Sequence, residues 1–313
     1  MWFFFHYTYH YSPEYLFSDL AGNNFAKYGW VGVDIFFIVS GYCIAMTIVR
    51  TNTFLDFIVK RFARLYPAYF VFGLTTLIFY YFFELPGREV GLFEGFMNLI
   101  FANFIPGLNF KYIDGIYWAL IVEIKFYIFF GIIYFISRSL STSIMIWLTF
   151  SVILTLIKVV DHSNNFIFLT SICPHLNLFL LGLSIYKFKD LKILFKIIII
   201  LYVVISIYFT DRFTENVVLF YLIFSLTSII LFKKFKINFK PLTLIGLISY
   251  SWYLSHNAIG IIIIRELNKL NYNTFSIITA FIFTLTLSFL VYYFIETNLK
   301  KIIIKLYNKN NKF

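Results

Sequence analysis

The chain has 313 residues, of which 61% are hydrophobic, 23% aromatic and 13% charged. Soluble domains carry roughly 45–50% apolar and about 25% charged residues, so a soluble fold is excluded. The formal net charge is +11, but the basic residues stand in short clusters between apolar runs, the pattern of membrane loops rather than of a nucleic-acid surface. The two cysteines, Cys43 and Cys173, lie inside apolar segments without metal-ligand spacing, which leaves neither a disulfide framework nor a metal site.

Apolar runs of membrane-spanning character fall at 1–10, 29–49, 66–83, 116–136, 143–160, 168–187, 191–209, 216–232, 243–264 and 275–296. A span needs about 20 residues, so about ten spans take about 200 and leave no room for a soluble appendage. The expectation is an all-α, polytopic helical bundle forming a single domain over residues 1–313. Placing Lys60, Arg61 and Arg64 in a cytoplasmic loop puts eighteen of the 26 Lys and Arg inside and seven outside, with Lys125 within a span. Both termini are then cytoplasmic. The long connections 11–28 and 84–115 face outward, and the apolar stretch 93–110, broken by Asn98, Asn103 and Pro106, either lies along the outer interface or re-enters as a half-helix. The first span is anomalous, because eleven residues of helix reach only about 16 Å. The expectation is that the sequence lacks about ten residues of its natural beginning, since a charged amino terminus at mid-bilayer is costly.

Ionisable residues within spans are expensive, and each marks a candidate function. His6 stands near the outer half of the first span, where an imidazole titrating near neutrality suits a general base for a hydroxyl. A neutral imidazole bonded between helices is the simpler reading from spacing alone. Glu123 and Tyr127 stand at i and i+4, so carboxylate and phenol share one helix face. A carboxylate at that depth must be paired, hydrogen-bonded or protonated, and pairing with a histidine would fix the tautomer of the imidazole. Asp34, among Gly29, Gly32 and Gly41, reads as structural or supporting. Arg61 and Arg64, at i and i+3, can present two guanidinium forks to phosphate oxygens, although positive-inside topology alone would also place them there.

These segments together resemble the acyltransferase-3 family of integral membrane acyltransferases. The resemblance rests on His6-Tyr7, on YGWVGVDIFFIVSG at 28–41, on the basic segment 57–67, on YWALIVEIKFY at 117–127, on ISYSWYLSH at 248–256 and on FIE at 294–296. It implies transfer of an acyl group, usually acetyl, from cytoplasmic acyl-CoA to a hydroxyl of a glycan such as O-antigen or exopolysaccharide in a bacterial inner membrane. By the same resemblance His6 matches the catalytic histidine and Glu123 its acidic partner, Arg61 and Arg64 match the pair that meets the CoA phosphates, and Asp34, Tyr127 and His256 are supporting residues. The family also carries an arginine about eleven residues before the histidine, a position that precedes Met1.

Other classes of protein also place charges at mid-membrane. A secondary transporter would show paired, interrupted helices in two related halves, and no such symmetry is visible. A different membrane acyltransferase would centre on His256-Asn257, and a non-enzymatic role in a polysaccharide assembly complex would need no catalytic residue.

Overall fold

The computed structural model describes residues 2–10, 26–83, 85–105, 107–160, 175–188, 190–209, 240–270 and 273–310. Among these residues every regular element is helical. A short helix α1 (Trp2–Phe5) runs into a π turn (His6–His10). After a 3₁₀ turn (Ala26–Trp30) come α2 (Val31–Ile48), α3 (Phe54–Phe82), the short α4 (Leu92–Leu99), α5 (Trp118–Ser137) and α6 (Leu140–Val160). Helices α7 (Leu176–Lys187), α8 (Ile193–Phe209), α9 (Lys240–His256), α10 (Ala258–Asn268) and α11 (Asn273–Val291) follow. A second π turn (Tyr292–Glu296) joins α11 to α12 (Thr297–Asn310).

Five helical runs among the described residues are long and apolar enough to cross a membrane, or six if the bent pair α9–α10 counts as one span. The predicted spans at 29–49, 116–136, 143–160 and 275–296 coincide with such runs. The predicted span 216–232, and part of 168–187, lie outside the described residues. Large apolar side chains cover the outside of the bundle, among them Ile78, Ile136, Leu156, Ile200 and Ile282, as a lipid-facing surface requires.

Two expectations are corrected. Residues 57–67 are not a loop: α3 starts at Phe54, where the Thr53 side chain accepts from the Asp56 amide (3.1 Å), and it continues through the buried Pro67. Lys60, Arg61 and Arg64 made this stretch read as a connection, but a helix of 29 residues, about 43 Å, is longer than the hydrocarbon layer and can carry charges near its end. The predicted span 243–264 is likewise broken at Asn257, with α9 and α10 bent by 58°.

Packing explains how the helices are held. Helix α2 lies closest to α7, where Gly41 and Gly182 let the two backbones meet: a Cβ on Gly182 would strike the Ile38 carbonyl, and one on Gly41 the Phe179 carbonyl. Phe126 stacks on Phe179 at 4.0 Å, tying α5 to α7. Within the apolar stretch 93–110, the described residues pack along the flank of α3. The Tyr69 hydroxyl donates to the Asn98 carbonyl (2.7 Å) and Phe101 stacks on Tyr69 (4.4 Å). Tyr69 lies thirteen residues, about 20 Å, from the Phe82 end of α3, so the stretch reaches well down the side of that helix. Its backbone is satisfied locally, since Asn98 Nδ2 donates to the Glu94 and Lys111 carbonyls and Asn103 both donates to and accepts from Phe110.

Candidate functional site

Two polar clusters are stacked along α2 and α5. The first surrounds His6, the opening residue of its π turn, a geometry that frequently marks functional sites. Its neighbour Tyr7 fixes the placement: the Tyr7 hydroxyl donates to the His256 carbonyl (2.6 Å), and the phenol lies on Gly260, where a Cβ would overlap it. This seats the His6 ring 5.3 Å from that of His256, with His10 at 5.6 Å. His256 Nδ1 lies 2.7 Å from the Tyr253 carbonyl, which in a neutral ring puts the proton on Nδ1 and the lone pair on Nε2. A cavity of about 390 Å³ opens beside His6 and is walled by His10, Trp30, Asp34, Trp118 and Tyr253.

The break between α9 and α10 is held by a residue outside the sequence-derived site. Asp114 is 1% exposed. It accepts from Asn257 Nδ2, from the Ala258 amide (2.8 Å) and from the Ile116 amide (3.2 Å). One carboxylate thus caps the start of α10 and the turn leading into α5, and holds the chain just after His256.

The second cluster surrounds Glu123, 3% exposed. Its Oε1 accepts from Ser40 Oγ (2.8 Å) and from the Tyr127 hydroxyl. Arg64 and Arg61 are its charged neighbours, and the Arg61 guanidinium sits 5.9 Å from the Tyr127 ring. Oε2 has no hydrogen-bond partner among the described residues. Arg61 and Tyr127 also line a cavity of about 100 Å³ with Leu65, Tyr66 and Phe101. Arg64 has a second acidic neighbour in Glu296, whose Oε2 accepts from Ser251 (2.8 Å).

The structure therefore brings together Glu123, Tyr127, Arg61 and Arg64, and separately His6, His256 and Asp34. Glu123 does not contact His6. Asp34 and Ser40 are six residues apart on α2, which puts the clusters about 9 Å apart along the axis. Sequence reasoning missed the roles of Ser40 and Asp114, and it named Asn257 only as the partner of His256 in an alternative centre, not as a ligand of Asp114. Small polar residues within apolar runs carry no signature of their own, although Asp114 immediately before a glycine and an apolar run was a readable helix cap. Among the described residues, no group of three or more His, Cys, Asp or Glu is arranged to hold a metal ion.

Fold and site define a polytopic helical membrane protein with a buried imidazole pocket at one end and a guanidinium–carboxylate cluster toward the other. Residues 2–293 match the family described as an acyltransferase domain, acyltransferase type 3, and the chain belongs to it. It is similar to an O-acetyl transferase of Shigella phage Sf6, 31% identical over 176 residues that cover 52% of this chain and 50% of the phage protein. It is also similar to the peptidoglycan O-acetyltransferase OatA of Listeria monocytogenes, 32% identical over 125 residues covering 34% of this chain and 20% of that protein. The chain thus aligns with half or less of the length of each of these relatives. No solved structure matches it.

Proposed function

We propose that the chain is a membrane O-acyltransferase that moves an acyl group, in the first instance acetyl, from acyl-CoA to a hydroxyl of a cell-surface glycan. In this reading it is a single domain of ten spans in a bacterial inner membrane, with both termini and the Arg61–Arg64 end of the bundle cytoplasmic. His6 is the general base. It takes the proton of the acceptor hydroxyl as that oxygen attacks the thioester carbonyl; the carbon–sulfur bond then breaks, and the imidazolium returns the proton to the departing CoA thiolate. His256 lies beside it, and Asp34 is the carboxylate in the same cavity. Trp30, Trp118 and Tyr253 offer the aromatic faces, and Asp34 and His10 the polar groups, that suit a sugar ring. Arg61 and Arg64 meet the donor phosphates, and Glu123, held by Ser40 and Tyr127, positions that pair.

The observation that carries the reading is the stacking of an imidazole-bearing cavity and a guanidinium cluster in one bundle of this family. The names of the two relatives support acetyl as the group and a glycan as the acceptor. The test is acetyl transfer measured in membranes at matched expression. His6→Ala is expected to lower transfer by about 10²–10⁴-fold. Near-normal transfer by that variant would remove His6 from the mechanism. Arg61→Ala and Arg64→Ala are expected to raise KM for acyl-CoA with a smaller change in kcat, because the phosphates are bound alike in ground and transition states.

A further inference from the structure

Helix α12 is a feature that the proposed chemistry leaves unused. The run Phe275–Lys309 is 35 residues long, about 52 Å, against roughly 30 Å of hydrocarbon. Helix α3, against which α12 packs, is 29 residues or about 43 Å long. Both overshoot at the end that carries Arg61 and Arg64. Helix α12 contains four lysines and no acidic residue. Thr297, Lys300, Lys301, Lys305, Asn308 and Lys309 share one face with Ile304 among them, along which runs an open groove of about 700 Å³. Leu299, Ile302 and Leu306 are exposed on the rest of the helix, so its basic and apolar faces are segregated.

The groove is continuous in charge with the donor cluster. Lys300 lies in the field of Arg64, Arg61 and Glu296. Lys60, on the same stretch of α3, is occupied by Asp56 (2.8 Å). Glu123 and Glu296 face Arg61, Arg64 and Lys300, and Lys301, Lys305 and Lys309 add further positive charge along about 14 Å from Lys300 to Lys309. An elongated anion with separated phosphate groups fits that excess, and the continuity of this lysine face with Arg61 and Arg64 favours the donor nucleotide over a lipid headgroup.

We propose that this face of α12 binds the phosphorylated nucleotide portion of coenzyme A. The diphosphate sits at the Arg61–Arg64–Lys300 end, and the phosphorylated adenosine extends along Lys301, Lys305 and Lys309, with Thr297 and Asn308 as uncharged hydrogen-bonding groups. The proposal rests on acyl-CoA being the donor. Its consequence is that α12 distinguishes acyl-CoA from an acyl thioester lacking the nucleotide.

The test compares the purified protein in neutral-lipid nanodiscs with a variant carrying Lys301→Gln, Lys305→Gln and Lys309→Gln. The ratio of kcat/KM for acetyl-CoA to that for acetyl-pantetheine is expected to fall about tenfold, the combined effect of three exposed charge contacts. An equal loss with both donors, or an unchanged ratio, overturns the proposal. Binding of free CoA is measured in parallel, so that failure of the transfer reading is distinguishable: CoA bound by the parent and weakened about tenfold in the variant supports the site even if no acetyl is transferred. Unchanged CoA binding, with loss of phosphatidylglycerol enrichment around the variant when both proteins are placed in mixed phosphatidylcholine–phosphatidylglycerol nanodiscs, assigns the face to lipid phosphate and overturns the proposal.

Discussion

Asp114 gathers three hydrogen bonds at the point where α9 gives way to α10. Replacing it by alanine leaves the Asn257 amide and the Ala258 N–H buried without their acceptor, at a cost of about 1–3 kcal/mol for each group. Asp114→Ala should therefore lower the melting temperature in detergent and depress activity, because His256 adjoins the same break; a melting temperature equal to the parent's would contradict this account. The separation of the two clusters also bears on coupling. In a double-mutant cycle on transfer rate, His6→Ala and Asp34→Asn should be coupled by more than about 0.5 kcal/mol, whereas His6→Ala and Glu123→Gln should be closer to additive. Strong non-additivity in the second pair would instead tie Glu123 to the proton transfer at His6. His6, Glu123, Tyr127, Arg61 and Arg64 were legible in the sequence because titratable groups stand out against apolar runs. The long-range pairings were not: Ser40 is 83 residues from Glu123, and Asn257 is 143 from Asp114, with no local pattern joining them.

At the level of helices, α2 and α7 cross with their backbones in contact at Gly41 and Gly182. Gly182→Ala puts a methyl group against the Ile38 carbonyl and the Tyr42 amide, neither of which can move as a side chain end would. It should destabilise by at least the roughly 1–3 kcal/mol typical of overpacking. Gly246→Ala, on α9 with open space around its Cβ position, is the matched control and should be neutral or slightly stabilising. Thermal unfolding of the two variants in one detergent checks both. Helix positions were largely readable from apolar length. The start of α3 was not, because three cations within five residues lower the local hydropathy and Pro67 imitates a boundary; Thr53 ahead of Asp56 was the cap signal. The bend at Asn257 was unreadable, since neither glycine nor proline marks it and a distant carboxylate holds it.

At the scale of the whole molecule, the distribution of Lys and Arg predicts the orientation of the bundle. Reporter fusions should place residue 110 outside and residue 236 inside, and the reverse result would overturn the donor side. The stacked clusters also have a kinetic signature. If the glycan enters at the His6 cavity and acyl-CoA at Arg61 and Arg64, as proposed above, neither substrate has to leave for its counterpart to enter. Initial-velocity lines should then intersect rather than run parallel. Free CoA should compete with acyl-CoA but act as a noncompetitive inhibitor toward the glycan, and an unreactive glycan fragment should do the converse. A parallel pattern would require an acylated protein intermediate. The intersecting one means that two compartments are connected by a group transfer while their molecules never share an entrance.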